Sequence, residues 1–319
     1  MRLVVGCALL LVALVGCAGG GDVRVDGSST VYPISLAVAE EFSILNPTAN
    51  VSVSFSGTGG GLSKLCRGEI DIAGASRVIE TSELAACAEN GIGVIELPVA
   101  ADAITVVVHP EDDWADCLDL GALRAIWEPG SSVTTWSDVE PGWPDEEIVL
   151  FGPGADSGTF DYFTEAVNGS AGATRTDFFP SEDDNVLVQG VRSDRFALGY
   201  FGFAHYAENR GAVRAVAVDG GDGCVLPTPE TIEANSYSPL SRPLFVYVAT
   251  RSLEKEAAAE LAAFYLSDEA RGLVSGSGYV AYPDQVYEAA TARLANRVTG
   301  SAFQDFEPGD SVLGAVRAR

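Results

Sequence analysis

The apolar residues along this chain recur with two alternating periods. Val31, Ile34 and Val38 lie three and four positions apart, as on one face of a helix, whereas Val51 and Val53 alternate with polar residues, as in a strand. Strands are predicted at residues 23–25, 51–55, 70–73, 104–108, 148–151, 197–201, 213–218 and 244–249. Helical patterns begin at 31, 62 and 160 and cover 253–266 and 284–296. This alternation predicts α/β layers with ligand-binding loops at the carboxyl ends of strands.

Three short clusters of serine, threonine and glycine lie between a strand-like run and a helix-like run. They occupy residues 27–30, 56–61 and 156–159. Each places backbone N–H groups and a small hydroxyl at the positive end of a helix, which is the local chemistry of an anion site. One such cluster means little, because serine and threonine are also ordinary helix N-caps. Three clusters predict a single oxyanion bound from several sides.

The amino terminus has the pattern of a bacterial lipoprotein signal. Arg2 precedes an apolar run over residues 3–15, and a small residue, Gly16, comes directly before Cys17. The run is shorter than the roughly 20 residues of a membrane-spanning helix, so a removed signal peptide is the better interpretation. We expect residues 1–16 to be removed, Cys17 to carry lipid, and residues 17–21 to tether an extracytoplasmic domain to a membrane. A plain signal peptide with a chance cysteine is the alternative.

Four cysteines remain after the one in the signal and the one at the lipid site: Cys66, Cys87, Cys117 and Cys224. An even number in an exported protein suggests two disulfides, and four cysteines allow three pairings. We favour Cys66–Cys87, which are close in sequence, and Cys117–Cys224, which would join the ends of one domain. No Cys-x-x-Cys spacing is present and the two histidines are isolated, so no metal site and no cofactor are expected.

The size and charge of the chain restrict its partners. Its 319 residues exceed one ordinary core, so two domains are expected. The formal net charge of −26 argues against a nucleic-acid partner, since no basic surface is available for phosphate backbones. The same charge does not exclude a small anion. Surface charges are screened beyond about 8–10 Å, whereas amides act on a ligand at contact distance.

Several segments resemble the phosphate-binding proteins of the Pst ABC transporter, the PstS family. They are residues 26–33, 68–77, 152–163, 181–190, 197–202 and 239–244. The resemblance covers nearly the whole mature chain and implies an α/β fold of the type II periplasmic binding protein class. In it, two α/β domains are joined by a two-crossing hinge, with the ligand in the cleft. The implied domain I comprises residues 22–103 and 246–319, and domain II comprises residues 104–245.

The resemblance implies a monomeric receptor that captures inorganic phosphate and delivers it to the ABC permease subunits in the membrane. Position by position, it implies these ligand groups: Ser29, Thr30, Val31 through its amide, Thr58, Ser76, Ser157, Gly158 and Thr159. All lie at predicted helix starts. The first five belong to domain I and the last three to domain II, so the cleft would close on the anion from two sides.

The chain departs from the family pattern at its charged ligand groups. Family members have an Asp after the first-domain serine and an Arg shortly before the second-domain Ser-Gly-Thr. Here Arg77 follows Ser76, and residues 152–155 contain no arginine. We infer that Arg77 supplies the cationic contact. The carboxylate that would accept the proton of monohydrogen phosphate is then unassigned, with Asp156 the first candidate, Asp71 the second and Asp183 a weaker third.

Two other functions compete with phosphate capture. A receptor for another tetrahedral oxyanion, such as sulfate or tungstate, stays open because the acceptor is unassigned. A secreted phosphatase with Ser157 as nucleophile is less favoured. The residues around Ser157 do not form a Gly-x-Ser-x-Gly elbow, and neither histidine has a triad context. The sequence therefore favours a binding protein over an enzyme.

Overall fold

The computed structural model describes residues 21–155, 157–307 and 309–317. The strands are β1 (Asp22–Gly27), β2 (Asn50–Val53), β3 (Ile72–Ala75), β4 (Val94–Val108), β5 (Cys117–Asp119), β6 (Val149–Pro153), β7 (Phe179–Ser181), β8 (Ala197–Gly202), β9 (Arg214–Ala215), β10 (Ala217–Asp219), β11 (Cys224–Val225) and β12 (Ser241–Ala249). Among these described residues, no helix has the length and apolar character needed to cross a membrane.

Helices connect most of these strands, as the α/β prediction requires. They are α1 (Tyr32–Leu45), α2 (Thr58–Arg67), α3 (Thr81–Glu89), α4 (Leu120–Trp127), α5 (Trp136–Val139), α6 (Gly158–Asn168), α7 (Asp184–Ser193), α8 (Phe203–Glu208), α9 (Pro229–Glu233), α10 (Glu256–Phe264), α11 (Asp268–Gly276), α12 (Asp284–Ala295) and α13 (Val312–Arg317). Pro33 lies in the first turn of α1, where its missing N–H costs little.

One twisted sheet runs through the molecule in the order β2-β1-β3-β12-β4-β8-β6-β7. Strand β1 pairs in parallel with β2 and β3, and β12 pairs antiparallel with β3 and β4. The amino-terminal part of β4 pairs with β12, and its last residues, from Ile104, pair with β8. Strands β4 and β12 therefore carry the chain between the two halves of the molecule.

Two main hydrophobic cores lie on either side of these crossing strands. The first core draws mainly on residues 23–103 and 244–316, with Phe42 and Tyr247 fully buried in it. The second draws on residues 104–240, where Trp127 and Trp136 are fully buried, as expected for core residues. The exact domain boundaries stay predictions, since β4 passes through residue 103 without a break.

Both favoured disulfide pairings are confirmed. Cys66–Cys87 joins α2 to α3 beside the first core. Cys117–Cys224 joins β5 to β11 across the small sheet β11-β10-β5, with its Cα atoms 6.0 Å apart. Stable disulfides are typical of proteins exported to an oxidising compartment.

Several element boundaries differ from the sequence prediction. The single strand predicted at residues 213–218 is two strands, because β9 pairs with β4 whereas β10 pairs with β5 in the other sheet. The helix predicted over residues 253–266 begins as a 3₁₀ turn, Thr250–Glu254, before α10. Strand β4 begins ten residues earlier than predicted. Pro98 and Asp102 interrupt its apolar pattern, although every residue of the strand is buried.

Candidate anion-binding site

The loops that follow β1 and β3 lie side by side at one edge of the sheet. Gly27 and Gly74 are register partners, and the amide of Ser28 donates to the Gly74 carbonyl oxygen at 2.9 Å. Gly27 has φ +146°, and a Cβ at this position would lie 2.1 Å from that same oxygen. Only glycine permits this approach. The parallel pairing of β1 and β3 thus brings residues 28–31 next to residues 76–77.

The first cluster forms a compact turn before α1. The side-chain oxygen of Ser28 accepts from the Thr30 amide at 3.2 Å, and the Val31 amide donates to the Ser28 carbonyl oxygen at 3.2 Å. Ser29 is exposed and Thr30 is buried. The Val31 amide, predicted to bind the ligand, is therefore engaged in the turn itself, while its side chain is buried in the first core.

The second cluster opens α2 and meets the loop after β3. Gly57, with φ +79°, precedes the helix, and Thr58 is its first residue. The Thr58 hydroxyl accepts from the Ser76 amide at 3.2 Å and lies 3.3 Å from the Ser76 hydroxyl. Two predicted ligand residues that are 18 positions apart in sequence are thus in contact. Gly61 lets α2 pack closely against the end of β1, because a Cβ there would lie 2.5 Å from the Gly27 Cα.

The third cluster opens α6 and faces the first cluster. Ser157 is the N-cap, and its side-chain oxygen accepts from the Thr159 amide at 3.2 Å. A Cβ built on Gly158 would lie 3.6 Å from the Thr30 hydroxyl oxygen. The structure therefore brings together the helix starts of α1 and α6, which lie on opposite sides of the crossing strands. Asp156 lies outside the described residues.

Arg242, on β12, is the cation at this junction. One of its terminal nitrogens, Nη2, donates to the Thr30 hydroxyl at 3.3 Å and to Asp102 Oδ2 at 3.1 Å. Its guanidinium carbon lies 3.6 Å from the centre of the Tyr162 ring, in cation–π stacking. Tyr162 is anchored in turn by donating to the Pro239 carbonyl oxygen at 2.7 Å. Arg242 thus touches residues from both sides of the crossing strands.

Asp102 and Arg242 form a cross-strand pair on the two crossing strands. They are register partners in the β4–β12 ladder, and their side chains are only 5% and 19% exposed. Burial raises the pKa of the Asp102 carboxyl, and the charge and hydrogen bonds of Arg242 counteract only part of that rise. A carboxylate so buried requires a cationic partner, which Arg242 supplies.

Arg77, the cation expected from the sequence, is already paired. Its two terminal nitrogens each donate to one oxygen of Glu83 at 2.9 Å, and Glu80 lies 3.6 Å away. Burial alone would raise the pKa of Glu83, but the hydrogen bonds from Arg77 and from the Glu80 amide outweigh it and lower that pKa. Arg77 borders the second cluster, since a Cβ on Gly59 would lie 3.6 Å from its Nη2.

The other acidic candidates have structural roles. The oxygens of Asp71 accept from the Arg24 amide at 3.0 Å, the Ser252 hydroxyl at 2.7 Å and the Lys255 ammonium at 2.9 Å. Asp71 precedes β3, at the opposite end of the strand from Ser76, so proposing it as a ligand acceptor was wrong. Asp183 is the N-cap of α7 and accepts from the Asn185 amide.

Sequence reasoning missed Arg242 and Asp102. Each of the two residues has a feature in the sequence that could have identified it. Arg242 lies within one of the segments that resemble the family, and Asp102 is the only charged residue between residues 97 and 108. A charge within a predominantly apolar strand requires a partner, and a pairing argument could have joined the two residues.

Comparisons with known proteins identify the family of this chain. A sequence model described as a PBP superfamily domain matches residues 17–269. Protein SphX of Synechocystis sp. is 44% identical over 321 residues, covering 99% of this chain and 95% of the relative. The phosphate-binding protein PstS of Staphylococcus aureus is 35% identical, covering 89% of this chain and 88% of the relative. The chain belongs to the PstS family.

A solved structure supports the fold of this PstS-family chain. A possible phosphate-binding protein from Planctomyces limnophilus has 47% sequence identity and a TM-score of 0.83, covering 88% of this chain and 99% of its own. The type II periplasmic binding protein fold expected from the sequence is confirmed. The two strands that cross between its halves are β4 and β12, which carry Asp102 and Arg242.

Proposed function

We propose that this protein is an extracytoplasmic receptor that captures inorganic phosphate, performs no covalent chemistry on it, and delivers it to an ABC permease. The observation that carries the proposal is the junction of Thr30, Gly158 and Arg242, where helix starts from two sides meet one arginine. The names of the relatives, phosphate-binding proteins, support phosphate as the anion. We further propose that the receptor acts as a monomer.

The proposed ligand groups surround this junction. They are Ser29, Thr30, Val31, Thr58, Ser76, Ser157, Gly158 and Thr159, with Asp156 and Arg77 at the border. To these we add Arg242 as the principal cation, in place of Arg77, because both terminal nitrogens of Arg77 bind Glu83, whereas Arg242 reaches Thr30 at the junction. Hydrogen bonds to a charged group contribute roughly 1.5–3 kcal/mol each. Four or five of them would supply the roughly 8 kcal/mol of micromolar binding, before the cost of domain closure.

Equilibrium dialysis with labelled phosphate, with and without excess sulfate, tests the proposal. We expect saturable phosphate binding that sulfate does not displace. Replacing Gly158 by Val should abolish binding, because its Cβ position lies 3.6 Å from the Thr30 hydroxyl and the added methyls would occupy the junction. Gly272→Val is the matched control, since Gly272 also lies in a helix and a Cβ there meets nothing within 4 Å. Absence of saturable binding, or equal competition by sulfate or tungstate, would overturn phosphate as the ligand.

The enzyme alternative has no support from the described residues. Ser157 accepts a hydrogen bond from the Thr159 amide, as an N-cap does. His109 accepts from the Glu111 amide, and His205 packs edge-on against Phe201. Neither histidine is placed as a base for Ser157. Steady release of nitrophenol from nitrophenyl phosphate, lost on Ser157→Ala, would contradict the proposed absence of chemistry.

We also propose that the receptor is anchored to a membrane by lipid on Cys17, after removal of residues 1–16. These positions lie outside the described residues, so the support is the sequence pattern and the two disulfides of an exported chain. Labelling with radioactive palmitate in a bacterial host should mark the wild-type chain and not the Cys17→Ser variant. Equal labelling of both would contradict the anchor.

A further inference from the structure

The short loop that follows β3 is fixed at both of its ends by strand β12. Ala75, the last residue of β3, is the register partner of Phe245. Four residues later, the amide of Ile79 donates to the Tyr247 hydroxyl at 2.8 Å. Phe245 and Tyr247 are two positions apart on the same strand. Only residues 76–78, which we call the Ser76 loop, therefore lie between these two fixed points.

A buried network behind the Ser76 loop holds the Tyr247 hydroxyl in place. Tyr247 donates to Glu96 Oε1 at 2.7 Å, and the two residues are register partners on β12 and β4. The Ser301 hydroxyl lies 2.8 and 2.9 Å from the two oxygens of Glu96, and the Ala302 amide donates to Oε2 at 2.8 Å. Glu96 and Tyr247 are both fully buried. A buried network whose members are paired rigidifies the groups that it joins.

Segment 301–304 reaches the same point a second time through Gln304. The Gln304 Nε2 atom donates to the Ile79 carbonyl oxygen at 2.6 Å, and the Gln304 side-chain oxygen accepts from the Thr81 hydroxyl at 2.8 Å. Both backbone groups of Ile79 are thus bound by side chains that lie 168 and 225 positions away in the sequence. The place where the Ser76 loop ends is therefore set by tertiary contacts and not by the loop itself.

We propose that Tyr247, anchored by Glu96, and Gln304 are positioning residues of the anion site, which hold the Ser76 loop in the geometry that binds the ligand. The inference rests on the proposed phosphate site and identifies what fixes one wall of it. The Ser76 amide donates to the Thr58 hydroxyl at 3.2 Å, so both proposed ligand residues depend on where this loop lies. A loop that is already ordered does not have to be ordered on binding, and this raises affinity.

A purely structural role would lower the stability of the first core without changing how the folded protein binds phosphate. Tyr287 separates the two roles. Like Tyr247, it is a buried tyrosine of this core with a bonded hydroxyl, which donates to the Val99 carbonyl oxygen at 2.7 Å. That hydroxyl binds the backbone of β4 and not that of Ile79. Tyr287→Phe is therefore the matched control for Tyr247→Phe.

Calorimetric titration with inorganic phosphate, well below the melting temperature, tests the assignment in wild type and the two tyrosine variants. Each variant loses one buried hydroxyl, so both should melt roughly 2–5 °C lower than wild type. Phosphate affinity should fall roughly 10-fold in Tyr247→Phe, because the Ile79 amide loses its acceptor and the Ser76 loop must be ordered on binding. Affinity should stay within about twofold of wild type in Tyr287→Phe, since sites without shared partners act independently.

Hydrogen exchange without phosphate gives a local measurement. The amides of residues 76–79 should exchange faster in Tyr247→Phe, and at the wild-type rate in Tyr287→Phe. Gln304→Ala is the second variant, because Gln304 is only half-buried and its loss should leave the protein folded. It should speed exchange of the same amides and weaken phosphate binding, by a smaller factor than Tyr247→Phe.

Wild-type affinity in a folded Tyr247→Phe protein, or equal losses in the two tyrosine variants, would overturn the inference. If Tyr247→Phe does not fold, Gln304→Ala decides, and wild-type affinity together with wild-type exchange in that variant would overturn it. If the wild-type protein binds no phosphate, the proposed function fails. If it binds phosphate and the loop variants bind it equally well, this inference alone fails.

Discussion

Arg77 and Arg242 both border the candidate site, but their charges are held in different ways. Arg77 is 40% exposed and forms a two-pronged ion pair with Glu83 on its own side of the crossing strands. Arg242 is 19% exposed, shares a single carboxylate oxygen, and contacts Thr30 and Tyr162 from opposite sides. Both arginines are paired with a carboxylate, so the difference lies in how many of their nitrogens that carboxylate takes up and in how far each side chain is shielded from water, where charges interact more strongly.

The largest expected effect is that of Arg242→Ala on phosphate binding. The change removes the principal cation and leaves the buried Asp102 charge facing the anion. Losing one partner of such a buried pair costs about 2–5 kcal/mol, so affinity should fall roughly 100-fold. Calorimetric titration measures it. Arg242→Lys keeps the charge but loses the planar fork and stack, and should fall between alanine and wild type. Wild-type affinity in a folded Arg242→Ala protein would contradict the comparison.

The stacking of Tyr162 on Arg242 gives the next largest effect. Tyr162→Leu keeps an apolar side chain but removes the ring, and cation–π contacts contribute about 0.5–2 kcal/mol. Phosphate affinity should therefore fall roughly 3- to 30-fold. Tyr162→Phe keeps the ring and loses only the hydrogen bond to the Pro239 carbonyl, so its affinity should stay within about threefold of wild type. Equal losses in both variants would show that the hydroxyl, and not the ring, holds Arg242.

Changes at Arg77 should have smaller effects. Arg77→Ala removes a half-exposed charge that Glu83 already neutralises, so phosphate affinity should fall less than about fivefold. Glu83→Gln leaves the same arginine with only the more distant Glu80 and should strengthen binding by a similarly small factor. Paired titrations of the two variants give the sign of each change. A loss in Arg77→Ala as large as that in Arg242→Ala would restore Arg77 as the principal cation.

Much of the fold could be predicted because many of its helices and strands follow from the pattern of residues within the segment itself. Helix α1 follows from apolar residues at helical spacing and a proline in its first turn, and α6 follows from Phe160, Phe163 and Val167. The first half of β4 could not be predicted in this way. Its pattern contains Pro98 and Asp102, which are tolerated only because neighbouring strands cover the whole length of the strand. Whether such a segment forms a strand depends on its pairing with neighbouring strands in the folded protein.

Those parts of the candidate site that lie within a single sequence motif could be predicted. Thr58, Ser76 and Ser157 each lie at a helix or loop start visible in sequence, and the structure places Thr58 against Ser76. The Arg242–Asp102 pair joins residues 140 positions apart and exists only because β4 and β12 are neighbours. The sequence prediction named Arg77 because this residue directly follows Ser76. Glu83, six residues further along, already neutralises Arg77.

The smallest expected effects concern how the Arg77–Glu83 and Arg242–Asp102 ion pairs make the stability of the protein depend on pH. Here the two pairs should contrast most directly. The folded pKa of Glu83 is lowered, so its stabilisation is present at neutral pH and is lost as the pH falls below its ordinary value of 4.5. The folded pKa of Asp102 is raised by burial, so its contribution is fully present below its ordinary value of 3.8 and is lost as the pH rises through the folded pKa.

Thermal melting of wild type, Glu83→Gln and Asp102→Asn across acidic to neutral pH tests these opposite signs. The advantage of wild type over Glu83→Gln should shrink on acidification, by less than about 3 °C in melting temperature. The advantage of wild type over Asp102→Asn should instead grow on acidification, because the protonated carboxyl no longer has to be buried as a charge. Two difference curves that slope the same way would mean that Asp102 is held as firmly in its charged form as Glu83.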